Sequence, residues 1–172
     1  MHRWITVLFA TVAAALLVGC GAEPLQSADD AYGSFRDAIR EVETPEEKTA
    51  LCEDFLKSFP KSEHTGSLAG AVAYYRGIAM GDEAGAVKVL DEILAEVDDP
   101  ETRFEVELAQ FPLAHKIGQT KDLQGIVSRL QANRALTFGE YTEVGEMAAE
   151  HELWDLAETQ AAGASTVASA EA

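Results

Sequence analysis

Leu51, Ala86, Leu123 and Ala157 fall into one column of this 172-residue chain, 35, 37 and 34 residues apart. Each is followed four residues later by a second apolar residue, in the order Phe55, Leu90, Val127 and Ala161. Residues four apart lie on one face of a helix, about one turn apart. A period in the thirties belongs to two-helix units that cannot bury their apolar faces alone and must stack on their neighbours.

The rest of the sequence fits that spacing. Ala31, Phe35, Ile39 and Val42 line one face of a first helix beginning near Ser27. Thr44-Pro45-Glu46-Glu47 supplies a cap, a proline at the first helical position and a carboxylate reaching back. The second helix follows, with Leu51, Cys52, Phe55, Leu56 and Phe59 on its face, and Pro60 stops it. A third helix is expected from Ser62 to Met80, a turn at Gly81, and a fourth helix from Asp82 to Val97. Asp99-Pro100-Glu101 opens a fifth, which Pro112 should kink or end early. Thr120 opens a sixth through Leu123, Ile126, Val127 and Leu130; Thr137 and Glu140 form a capping box for a seventh; an eighth runs from about Leu153 to Ala162. No sustained period-two run with hairpin turns occurs, so the expected fold class is all-α.

Several of these segments resemble tetratricopeptide repeats. Gly81-Asp82 followed by Ala86, Leu90 and Ile93 is similar to the turn and second helix of that motif, as is Trp154-Asp155-Leu156-Ala157-Glu158. The run Phe55 to Ser62 resembles repeat ends in lipid-anchored envelope proteins of the same family. The pattern is degenerate: Gly70 and Tyr74 stand where a large and a small residue would be usual, and Arg129 to Asn133 interrupt the third copy. The resemblance implies antiparallel hairpins stacked as a right-handed solenoid over residues 27–162, ahead of a flexible Ala/Ser-rich tail at 163–172.

The amino terminus carries a second resemblance. Arg3 precedes an apolar run from Trp4 to Val18, and Leu17-Val18-Gly19-Cys20 closes it. About 15 residues of helix span roughly 23 Å, short of the roughly 30 Å hydrocarbon core, so a cleaved signal is expected over a permanent span. The closing residues resemble the lipobox of bacterial lipoproteins, with Leu17, Val18 and Gly19 as the recognised residues. That implies a signal peptide at 1–19, diacylglyceryl transfer to the Cys20 sulfur, further acylation (the palmitate class of chain), and a lipidated tether at 20–26. Gly21 stands where inner-membrane lipoproteins of the enterobacterial type usually carry Asp, which favours the outer membrane; a periplasm-facing position there is expected over the inner membrane or the cell surface.

A formal net charge of −17 repels phosphate backbones, so no nucleic-acid partner is expected and the membrane is reached through lipid. With Cys20 lipidated only Cys52 is left, so no intrachain disulfide forms, and Cys52 reads as a small buried hydrophobe. No Cys-x-x-Cys, nucleophile elbow, phosphate loop or dinucleotide fingerprint is present, and His64, His115 and His151 form no paired motif. Catalytic residues, metal ligands and cofactors are therefore not expected. Glu96, Asp98, Asp99 and Glu101 read as a solvated acidic turn.

Two features point to binding. Gly66, Gly70 and Gly77 put small residues along the third helix, either for close helix packing or for a ligand backbone. Tyr75, Arg76 and Arg103 are the candidates for a partner groove. The expected function is a lipid-anchored binding or scaffold protein that recruits an envelope protein or peptide. The alternative is the docking region of an envelope thioredoxin-like or cell-wall enzyme whose catalytic domain lies outside this chain.

Overall fold

Six helices start on a side chain that takes up an otherwise orphaned backbone N–H. Ser27, Thr44, Asp82, Asp99, Asp122 and Thr137 each accept from the amide three residues on. The computed structural model describes residues 27–170. The helices are α1 (Ala28–Glu41), α2 (Pro45–Ser58), α3 (Thr65–Val72, continued by a π-helical segment Ala73–Ala79), α4 (Glu83–Glu96), α5 (Pro100–Lys116), α6 (Leu123–Gln131), α7 (Phe138–Glu150) and α8 (Trp154–Ala170). The protein is all-α, with no strand among the described residues. No described helix is long and apolar enough to cross a membrane. Residues 1–26, including Leu17, Val18, Gly19, Cys20 and the tether, lie outside the described residues.

Neighbouring helices pack along the chain: α1 on α2, α2 on α3, α3 on α4 and α5, α5 on α4 and α6, and α7 on α8. Two apolar clusters result. One gathers Phe35, Leu56, Val72, Leu90 and Ile93 from α1 to α4, and the other Phe111, Leu123, Val127, Val144 and Leu156 from α5 to α8. The helix α5 belongs to both. Phe104, Leu108 and Phe111 enter the second cluster, while Val106 and Leu113, about half a turn round, enter the first. A helix buried on two faces shows little amphipathic pattern in sequence, which explains why only its first stripe was legible.

Five local expectations need correction. The third helix is not α-helical to Met80: it widens at Ala73–Ala79, where Met80 N–H donates to Tyr75 O at 3.0 Å, five residues back. The glycine there makes room, since a Cβ on Gly77 would come within 2.7 Å of Leu113. The helix α5 runs through Pro112 to Lys116, because Phe111 and Leu113 on either side are held in the two clusters. The sixth helix takes Asp122, not Thr120, as its cap. The eighth helix does not end at Ala162: the segment expected to be a flexible tail is helical as far as Ala170. The column also slips by one in this last copy. Leu156, Gln160 and Ala164 are buried, while Ala161 is exposed. Gly163 sets that slip, because any side chain there would strike the Tyr141 ring.

Candidate binding groove

Three helices that are not consecutive, α3, α5 and α7, wall a groove of about 400 Å³. Each presents residues three or four apart, the spacing of one helical face: Gly66 and Gly70, then Phe104, Leu108 and Pro112, then Glu140, Glu143 and Met147. The two glycines do different things. Gly66 is buried beneath Glu105, so a side chain there would collide with that residue, whereas a Cβ on Gly70 would meet nothing within 4 Å. Close packing explains Gly66, and Gly70 leaves the α3 backbone open to whatever lies in the groove. Pro112 carries no N–H, so the Leu108 carbonyl lacks its usual helical donor on the same wall.

The apolar floor carries an acidic rim. Arg134 bridges Glu140 (Nη2 to Oε1, 2.6 Å) and Glu101 (Nε to Oε1, 2.8 Å). Glu140 also accepts from the Thr137 amide at 2.7 Å, completing the α7 capping box. Arg134 and these bonds hold the Glu140 carboxyl down at about 2, so it stays ionised. The opposite holds for Glu105. Its partial burial over Gly66, and then the negative charge of Glu101, Glu140 and Glu143, push its pKa above the ordinary carboxylate value. Neither Glu105 nor Glu143 has a hydrogen bond or ion pair among the described residues. The groove thus holds two uncompensated carboxylates over an apolar floor, which is an arrangement suited to a cationic, partly apolar ligand.

The residues singled out from sequence are used differently. Arg76 is tied to Glu53 at 2.6 Å and to Asp82 at 2.8 Å, joining α2, α3 and the start of α4. Tyr75, expected to face a groove, instead packs against the first apolar cluster with Lys48 5.5 Å from its ring centre; its neighbour Tyr74 is 56% exposed. The wide turns of the π segment displace the pair from a plain α-helical register. Arg103 donates to Leu94 O at 3.0 Å, closing the end of α4, and pairs with Glu107. It lines a polar groove of about 410 Å³ between α4, α5 and α6, which Tyr75 and Arg76 do not line. A more open hollow of about 730 Å³ lies where the starts of α6 and α8 meet, beside Trp154.

Other candidates are absorbed by the fold. Asp99 caps α5, Asp98 pairs with Lys61 at 2.6 Å, and Glu101 pairs with Arg134. Cys52 is fully buried, and burial with the nearby Glu53 pushes its thiol up to about 12, which leaves it inert. His115 and His151, far apart in sequence, meet with ring centres 4.4 Å apart, and burial together with His115 lowers the His151 pKa. Gly66 and Gly70 stood out in the sequence, whereas Glu105, Glu143 and Met147 come together from α5 and α7 only in the folded chain. Their only local signal was apolar or acidic residues spaced three or four apart beside the core stripe. No protein family, curated protein or solved structure matches this chain.

Proposed function

We propose that this chain is a membrane-anchored binding lipoprotein that recruits a cationic segment of an envelope protein or peptide into the α3/α5/α7 groove. In this reading α1–α2, α3–α4, α5–α6 and α7–α8 are four stacked hairpins of a right-handed, tetratricopeptide-like solenoid. The first helices of successive hairpins then form its concave face. The observation that carries the reading is that α3, α5 and α7 share one groove with Glu105 and Glu143 unpaired on its rim. Lipid on Cys20 holds the body at the outer membrane, facing the periplasm. Confinement to a surface raises effective concentration, so a modest affinity suffices.

Binding of fluorescent peptides to the mature chain tests this. Amphipathic peptides of about 12 residues bearing Lys or Arg are expected to bind, and the same peptides with Glu in place of Lys are not. Affinity should fall with salt, and should fall as pH drops into the range where Glu105 protonates. Replacing both unpaired carboxylates, Glu105→Gln with Glu143→Gln, is expected to weaken binding roughly tenfold, about 1.4 kcal/mol over two partly exposed charge pairs. Equal binding of both peptide sets, or none of either, contradicts the proposal.

A further inference from the structure

The junction of α1 with the turn before α3 gathers a second set of polar groups, independent of the groove. Asp29 in the first turn of α1, Glu63 and His64 each bring one potential ligand atom to within 4.8 Å of the others. His64 Nε2 stands 3.7 Å from Glu63 Oε1. Bonds of about 2.0–2.2 Å to a common ion require ligand atoms only a little closer than that, roughly 3.0–3.5 Å apart, within reach of a rotation of exposed carboxylates.

The imidazole is the fixed member. Its ring stacks on Tyr32, centres 3.5 Å apart and planes at 15°. Tyr32 lies three residues after Asp29, so one face of α1 presents the tyrosine to the His64 ring and the aspartate to its edge. Tyr32 is itself held by Phe35 and Phe55, at 5.7 Å from each. The His64 amide donates to Ser62 Oγ at 3.2 Å, which fixes the backbone of the turn. Among the described residues no lysine or arginine pairs with Asp29 or Glu63. Two carboxylates and an imidazole therefore offer a mixed N/O donor set.

We propose that Asp29, Glu63 and His64 bind one divalent transition-metal ion of the Zn²⁺ class, with water completing its coordination. An imidazole with two carboxylates favours such an ion over Mg²⁺ or Ca²⁺, which take oxygen ligands. Bound there, the ion fastens α1 to the turn that leads into α3.

Isothermal titration of the full chain in detergent with ZnCl₂, in a buffer that does not chelate, tests the site. One ion per chain is expected, and Co²⁺ in its place should give a visible d–d absorption band. Loss of second-shell groups alone typically weakens metal sites 10–100-fold, so loss of a direct ligand should cost at least about tenfold. Asp29→Asn and His64→Phe are each expected to show that loss. The phenylalanine keeps a ring on Tyr32 and removes only the nitrogen donors, so a folded His64→Phe chain separates ligation from packing. The double variant His115→Ala, His151→Ala should bind as the wild type does. No binding by the wild type, binding unchanged in folded His64→Phe, or loss of binding in the His115/His151 variant overturns the proposal.

Discussion

Phe111→Ala is expected to lower the free energy of unfolding by about 3–5 kcal/mol, a large part of the roughly 5–15 kcal/mol typical of a domain. Phe111 is 2% exposed and among the largest fully buried side chains. It lies on the face of α5 that enters the second apolar cluster, and its ring meets the His151 ring edge-on at 5.0 Å. The surrounding wall comes from α6, α7 and α8, so no single neighbour can collapse into the space that alanine leaves. Urea unfolding followed by circular dichroism measures the change. A midpoint shift worth less than about 1 kcal/mol would mean that this ring does not anchor α5 in the second cluster.

Cys20→Ser is expected to move the protein almost completely from the membrane to the soluble fraction and to abolish incorporation of labelled palmitate. The size of the effect follows from the proposed anchor: each buried CH₂ contributes about 0.8 kcal/mol, so two or more acyl chains would hold firmly and none would leave nothing comparable. The net charge of −17 offers no electrostatic substitute at an anionic surface. A serine variant that remains with the membrane would show that something other than lipid on residue 20 retains it.

Helix starts were legible because capping is local. Thr44, Asp82, Asp99 and Thr137 could be recognised within four residues of sequence, and each caps in the structure. The apolar column was equally readable through Leu51, Ala86 and Leu123, but it slipped in α8. There the Tyr141 ring against Gly163, a contact between helices, decides which face turns inward. The same distinction separates the two kinds of candidate residue. Gly66 and Gly70 could be singled out because a glycine inside a helix is costly and needs a reason. Whether an arginine is free or committed depends on partners elsewhere in the chain. Arg76 is taken by Glu53, and Arg103 by the end of α4. Glu105 and Glu143 lack such partners, and Asp29 meets His64 only through the packing of α1; none of this has a signature in neighbouring sequence.

The central claim is that the α3/α5/α7 groove is where a partner sits. A photoreactive amino acid at Ser67, exposed on the groove wall, tests it in intact cells against the same group at the exposed Lys88 on α4. The account predicts a discrete crosslinked species from Ser67, absent from Lys88, that disappears when Glu105→Lys and Glu143→Lys are combined in a chain that still folds. Equal capture at both positions, or capture at Ser67 that survives the reversal of both charges, would contradict it.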